Sequence, residues 1–115
     1  LPSEDYQRIK DDKNFRLKFF VVPGLPQVMN INVTSGPTKE LAVRQAMLYA
    51  IDEDMMVNLI FFGANPAAKG PLSSGSWAYW DGVEKMYPYN PEKAVELLKV
   101  AGYTSRNDDG WLVHD

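Results

Sequence analysis

The sequence contains no cysteine, and it contains a single histidine among its 115 residues. The absence of cysteine excludes disulfide bonds, zinc–thiolate sites and cysteine nucleophiles. The one histidine, His114, cannot form a catalytic triad or a metal site by itself. No apolar run approaches the roughly eighteen residues that a membrane-spanning helix needs. These absences exclude catalytic and metal sites that depend on cysteine or on several histidines.

An excess of one charge is also missing. The chain carries 12 basic and 15 acidic residues, which are mixed along it and give a net charge of −3. Binding to nucleic acid requires a clustered excess of Lys and Arg, so we predict no nucleic-acid partner. The length suffices for one modest core, and 45% hydrophobic residues are typical of a globular protein. Because the chain begins at Leu1, without Met or a leader, we expect it to be a piece of a longer protein.

Two alternating segments predict β-strands. The segment FRLKFFVV, residues 15–22, places its apolar side chains on one face, and VMNINV, residues 28–33, does the same. The intervening PGLP, residues 23–26, predicts an antiparallel pair. The other face of the second strand is either solvated or turned toward a polar ligand, because buried amides need partners. That face comprises Val28, Asn30 and Asn32.

Two helices are predicted next, separated by the acidic trio Asp52, Glu53 and Asp54. We expect Thr38 to be the N-cap of the first and Asp52 to be the N-cap of the second, which Gly63 ends. The predicted buried stripe of the first helix consists of Val43, Ala46, Met47, Ala50 and Ile51. The predicted buried side of the second consists of Met56, Leu59 and Ile60.

The later part of the chain has clear helix punctuation. In NPEKAVELLKVAGY, Asn90 is the predicted N-cap, Pro91 the first helical residue and Gly102 the C′ residue. The sequence NDDG, residues 107–110, predicts a turn into a strand. Helices and strands together give a mixed α/β (α+β) fold class.

A long segment rich in Gly, Pro, Ser and aromatic residues occupies positions 64–89. Loops of this length in compact domains are often functional. Its rings either line a ligand pocket or cover the core beneath the loop. The rings belong to Trp77, Tyr79, Trp80, Tyr87 and Tyr89, of which Trp77 and Tyr79 are the ligand-contact candidates.

The sequence shows no set of residues that could carry out catalysis. The carboxylates that stand close together are neighbours in sequence, whereas acid–base catalysis needs two held in different environments across a substrate. A small hydrolase or lyase that uses Asp52, with the aromatic loop as a substrate wall, remains one alternative. An interaction domain that presents the loop Trp77–Tyr89 to a protein partner is another.

The combination of motifs resembles a known family. The segments MNIN, TKELAVRQAMLYAIDEDMMVNLIFFGANPAAKGPL, YPYNPEKAVELLKVAGY and DDGW follow one another as they do in the extracellular solute-binding proteins of peptide and nickel import systems. The matching order and spacing cover about residues 28–111. Each motif alone is ordinary helix punctuation, but the set in this order is specific.

The resemblance implies a much longer parent protein, with two α/β lobes that close on a ligand and deliver it to the permease of an ABC importer. Residues 1–115 would be a fragment of the second, ligand-binding lobe, located outside the cytoplasmic membrane, without cofactor, metal or catalysis. The ligand would be a small peptide or a nickel complex, and TKELAVRQAMLYA leans toward the nickel branch. The resemblance turns Asn30 and Asn32 toward the cleft. We also expect an excised lobe segment to self-associate through apolar surface that its parent covers.

Overall fold

The computed structural model describes residues 2–18 and 26–115. Its helices are α1 (Tyr6–Asp11), α2 (Leu41–Ala50), α3 (Glu53–Phe61) and α4 (Pro91–Val100), and its strands are β1 (Tyr103–Arg106) and β2 (Leu112–His114). Short 3-10 turns occupy Ser3–Asp5, Pro37–Lys39 and Asp81–Lys85. This confirms a mixed helix and strand fold. The described residues fall into two compact units, one within Leu1–Val28 and Asp52–Glu84, the other within Met29–Ile51 and Lys85–Asp115.

The core of the second unit lies where α2 packs against α4. Ala46 of α2 and Ala94 of α4 are only 2% and 4% exposed, and Val43 is buried beside them. Small side chains at both buried positions let the two helix backbones approach closely. The predicted stripe of α2 is confirmed at Val43 and Ala46, whereas Ala50, at its C-terminal end, is exposed.

Both predicted ends of α4 are confirmed. The Asn90 side chain accepts a hydrogen bond from the Lys93 amide at 2.9 Å, and Pro91 is the first helical residue. The backbone N–H of Asn90 also donates to the Tyr49 carbonyl at 2.8 Å, and this hydrogen bond joins the start of α4 to the last turn of α2. Gly102 follows the helix with φ +87°, a conformation that a side chain disfavours.

The predicted cap at Thr38 is wrong. Helix α2 begins at Leu41, and Glu40 precedes it without a side-chain cap. Thr38 lies instead in the 3-10 turn Pro37–Lys39, and its hydroxyl donates to the Asn32 carbonyl at 2.6 Å. The Pro at the start of this turn favours a tight turn before the helix, and the Thr38 hydroxyl acts as a donor to the preceding chain.

In the first unit, the predicted cap of α3 is confirmed and its predicted buried side is not. Asp52 Oδ1 accepts from the Met55 amide at 2.9 Å. The helix ends at Phe61, followed by Phe62 and Gly63 with φ of +51° and +69°. The side chains predicted to be buried, Met56, Leu59 and Ile60, are all about half exposed or more. Helix α3 is apolar around most of its circumference, so helical periodicity could not identify a buried side.

The strand predicted over 28–33 does not form. The described backbone there is irregular, and Val28, Met29 and Val33 are exposed. A strand exists only when its backbone groups pair with a neighbour, and residues 19–22 of the predicted partner strand lie outside the described residues. Of the first predicted strand, residues 15–18 are irregular and the rest lie outside the described residues as well.

A hairpin forms instead at the C-terminal end. β1 and β2 pair antiparallel, with an irregularity between Tyr103 and Ser105, and the Gly110 amide closes the predicted turn onto the Asn107 carbonyl at 2.8 Å. The turn and the following strand were predicted, whereas β1 was not. Tyr103, the first residue of β1, is buried against the second unit's core.

Candidate functional site

The Asn32 side chain organises the turn that leads into α2. Its Oδ1 accepts from the Thr34 amide at 2.9 Å and from the Thr34 hydroxyl at 2.8 Å, while its Nδ2 donates to Ser35 Oγ at 3.0 Å. Arg44 Nη1 then donates to the carbonyls of Thr38 and Lys39, both at 2.8 Å. Both acceptor positions of the Asn32 amide are therefore used within the turn.

The structure thus places the three predicted strand-face residues in different settings. Asn32 is exposed but engaged in its own turn, and Val28 and Asn30 lie exposed on irregular backbone. They do not form one face of a strand. Sequence reasoning missed the turn, although Asn side chains commonly accept a hydrogen bond from the backbone two residues further on.

Residues 64–84 of the aromatic segment form a second feature, which lies in the first unit. Successive backbone hydrogen bonds fold it tightly: the Ser76 amide donates to the Ser73 carbonyl, that of Tyr79 to Ser76, and that of Val83 to Trp80. The Tyr79 hydroxyl donates to Glu84 Oε1 at 2.5 Å. This hydrogen bond, together with the nearby charge of Glu84, raises the pKa of Tyr79.

The folded segment encloses a shallow apolar depression of about 160 Å³. Its lining residues carry no charged side chain. They are Gly70, Pro71, Leu72, Ala78, Tyr79, Trp80 and Val83. Of the predicted ligand-contact rings, Tyr79 lines this depression, whereas Trp77 does not and is 98% exposed.

Two glycines set the shape of the depression. A Cβ on Gly70 would lie 2.8 Å from Val83 Cγ2, and a Cβ on Gly82 would overlap the ring of Trp80. Neither residue has a positive φ, so the missing side chain is required by the neighbours and not by the backbone. Sequence reasoning missed both glycines. The available signal was the spacing of Trp80 and Gly82, which lets the ring lie over the backbone.

Of the other rings of the segment, that of Tyr87 packs on a neighbouring ring, whereas that of Tyr89 is exposed. Tyr87 meets Tyr49 edge to face, with ring centroids 5.4 Å apart, inside the second unit. Tyr89 is 54% exposed. His114 likewise packs edge to face on Tyr103 at 5.1 Å, and a Cβ on Gly102 would lie 2.8 Å from its Nε2. The single histidine therefore covers a core tyrosine.

The acidic trio is occupied by local structure. Asp52 caps α3, while Lys69 Nζ lies 3.1 Å from Asp54 Oδ1 and 3.3 Å from Glu53 Oε2. Partial burial of Lys69 favours the neutral amine, but the hydrogen bonds and charges of the two carboxylates outweigh it and raise the pKa of Lys69. The trio thus fixes the start of α3 and holds the following loop to it.

Among the described residues, His, Asp and Glu side chains form no group of three that could hold a metal ion. Within the same residues, every helix is too short or too polar to cross a membrane.

Comparison with known proteins gives a family. The sequence model of one protein family, described as bacterial extracellular solute-binding proteins, family 5 Middle, matches residues 1–113. The dipeptide-binding protein of Escherichia coli (strain K12) is 38% identical over 99 residues, which are 85% of this chain and 18% of that protein. The heme-binding protein A of Haemophilus influenzae is 39% identical over 82 residues, 70% of this chain and 15% of that protein. The glutathione-binding protein GsiB of Pectobacterium atrosepticum is 38% identical over 96 residues, 80% and 18% respectively.

Two solved structures share the fold over the whole chain. NikA from Brucella suis, in complex with Fe(III)-EDTA, superposes with a TM-score of 0.74 at 22% identity. The oligopeptide-binding protein AppA from Bacillus subtilis, in complex with a nonapeptide, superposes with a TM-score of 0.69 at 28% identity. This chain covers 23% of each of those chains. It likewise spans less than a fifth of the length of the three relatives above. The family-model match over nearly every residue and the identity to these relatives show that the chain belongs to the bacterial extracellular solute-binding proteins of family 5.

Proposed function

We propose that the chain is a part of the second lobe of a receptor that binds short peptides outside the cytoplasmic membrane and delivers them to the permease of an ABC importer. The observation that carries the proposal is the family match over residues 1–113. Relatives named for a dipeptide, for glutathione and for di- and tripeptides support short peptides as the ligand class.

The proposed mechanism is capture by closure of two lobes. Ligand contacts from both lobes favour the closed state, so the bound peptide shifts the equilibrium between open and closed forms. A chain that carries one side of the cleft lacks half of those contacts. We therefore propose that these 115 residues contribute to binding in the parent protein and bind weakly alone.

No observation favours the hydrolase alternative over this one. Asp52, its proposed catalytic carboxylate, accepts the Met55 amide as a helix cap, and the relatives' names are those of binding proteins. The interaction-domain alternative is supported by exposed rings of the segment Trp77–Tyr89, those of Trp77, Trp80 and Tyr89, and by no relative named for such a role.

The test is calorimetric titration of the parent protein, expressed without its export signal, with Ala-Ala, Ala-Ala-Ala, glutathione, heme and a nickel complex. We expect the dipeptide or tripeptide to bind at micromolar concentration or tighter, and the isolated 115-residue chain to give no heat at the same concentrations. Tight binding by the isolated chain would contradict the shared cleft.

Binding of the nickel complex or of heme alone would retain the receptor and replace peptides as the ligand class. If none of these compounds binds to a parent protein whose circular dichroism shows it folded, the proposed ligand class is wrong.

A further inference from the structure

Residues 52–84 form an excursion of the chain between two parts of the second unit. The chain leaves that unit after Ile51 and returns to it at Lys85, and the intervening residues belong to the first unit. We name them the 52–84 segment. We propose that this segment opens and refolds by itself while the core between α2 and α4 stays folded. Its opening involves no ligand and goes beyond the proposed function.

Burial differs between the 52–84 segment and the second unit. Among the described residues, the buried side chains are those of Val43, Ala46, Ala94 and Tyr103, and all of them lie in the second unit. No residue of the 52–84 segment, which the structure describes throughout, is buried. Because removal of apolar surface from water is the main source of stability, the second unit gains a stability that the 52–84 segment lacks.

The hydrogen bonds of the 52–84 segment are exposed to solvent. Within it, the Tyr79 hydroxyl donates to Glu84, five positions further on. From outside it, Gln7 Nε2 donates to the Phe62 carbonyl, but at 3.4 Å and also in contact with solvent. Such bonds add little net free energy, because water replaces either partner when they break. Low burial and exposed hydrogen bonds characterise the regions of a protein that open locally.

The second unit is joined by contacts between residues distant in sequence. The Asn90 amide donates to the Tyr49 carbonyl at 2.8 Å, and the ring of Tyr87 lies against that of Tyr49. The Tyr103 hydroxyl donates to Glu40 Oε1 at 3.4 Å in a partly buried position. The first two contacts keep the chain before and after the 52–84 segment close together. Because the entropy of a flexible loop with fixed ends changes slowly with its length, the second unit can stay folded while the segment is open.

Hydrogen exchange of the whole 115-residue chain, followed by mass spectrometry of peptic fragments, tests this opening. The measurement is made at a dilution where sedimentation shows a monomer, so that association cannot protect α3. We expect the amides of α3, relative to their intrinsic rates, to exchange at least about tenfold faster than the slowest amides of α2 and α4.

Dilute urea separates local opening from complete unfolding without any substitution. The effect of urea on an opening reaction grows with the surface that the reaction exposes. We therefore expect urea to accelerate exchange in α2 and α4 steeply and exchange in α3 only slightly, because opening of the 52–84 segment exposes less surface than complete unfolding.

Val43→Ala identifies the amides that depend on the core of the second unit. It removes buried methyl groups from α2, so exchange in α2 and α4 should become about tenfold faster. Exchange in α3 should change less than about twofold, because the segment opens while that core is folded. Val100→Ala makes the same change at a 79% exposed position of α4 and is the matched control, which should alter exchange in each helix by less than about twofold.

Three results would overturn the independent opening. The first is equal protection of α2, α3 and α4 in wild type, with equal dependence on urea. The second is acceleration of exchange in all three helices by one factor in Val43→Ala, because the chain would then unfold in a single step. The third is rapid exchange throughout the wild-type chain, because the core of the second unit would then not be folded.

Discussion

Single polar side chains stabilise irregular backbone in this chain by hydrogen-bonding to residues two or three positions further on. Asn32 satisfies two donors of Thr34 and Asp52 satisfies the Met55 amide, so each amide or carboxylate replaces a backbone partner that a helix or strand would supply. Polar residues read from sequence as ligand or catalytic candidates therefore have a local use. Their exposure alone does not distinguish a ligand contact from a turn.

The hydrogen bond between Tyr79 and Glu84 predicts an ionisation that can be measured. Because the neutral phenol donates to the carboxylate, the pKa of Tyr79 lies above the ordinary value of about 10. A folded-state pKa raised in this way stabilises the fold at pH below about 10, and the contribution disappears as the pH rises through the folded pKa. The ultraviolet absorbance of wild type and of Tyr79→Phe is measured as the pH is raised, and the difference between the two titrations isolates Tyr79. We expect that difference to appear at a higher pH than the ionisation of an ordinary tyrosine.

Glu84→Gln provides the matched control, since it keeps the size of the side chain and removes its charge. The pKa of Tyr79 should then fall toward its ordinary value. An unchanged titration in Glu84→Gln would show that the tyrosine and the carboxylate are not paired in solution.

The elements of secondary structure differ in how far the sequence determined them. Both ends of helix α4 were predicted because the signals are local: Asn90 and Pro91 act on the first turn of the helix, and Gly102 acts on the last. The cap of α3 at Asp52 is equally local. Alternation over 28–33 failed because a strand needs a distant partner, and β1 was missed because its polar sequence gains its place only through pairing with β2.

The candidate site was predicted only in part for the same reason. Tyr79 could be selected because loops as long as residues 64–89 are unusual and often functional, and aromatic rings in them can line ligand pockets. The contact of Gly70 with Val83 joins residues thirteen positions apart, and no local rule predicts it. The depression follows from how the segment folds back on itself, which composition does not specify.

Helix α3 offers a test of its cap and of the catalytic alternative together. Asp52→Ala leaves the Met55 amide without its partner, so the free energy of unfolding should fall by about 1 kcal/mol. Asp52→Asn retains a capping oxygen and should cost only a few tenths of that, about 0.3 kcal/mol. Urea unfolding, with exchange of the Met55 amide as a local probe, measures both changes. Lost turnover of any hydrolysed substrate in a fully stable Asp52→Asn variant would contradict the structural role.

Among the described residues, large apolar side chains on and just after α3 form an exposed group. Met55, Met56, Leu59 and Ile60 of α3 are all about half exposed or more, and their neighbour Phe62 is 46% exposed. Monomeric proteins rarely expose contiguous apolar patches of this kind. The chain also spans only 15–20% of the length of its curated relatives. We name the side chains of Met55, Met56, Leu59, Ile60 and Phe62 the α3 apolar surface. We infer that the remainder of the parent protein covers this surface.

Isolated from that remainder, the 115-residue chain should associate with itself through the α3 apolar surface. Sedimentation at increasing concentration should show oligomers, and Leu59→Glu should shift them to monomer, because a carboxylate cannot be buried there without a partner. Val100→Glu, at a 79% exposed residue of α4 outside this surface, is the matched control and should leave association unchanged. In the parent protein, where the surface is covered, Leu59→Glu should instead lower the unfolding temperature. Association that survives Leu59→Glu would place the contact elsewhere on the chain, and an unchanged unfolding temperature in the parent would show that α3 remains exposed there.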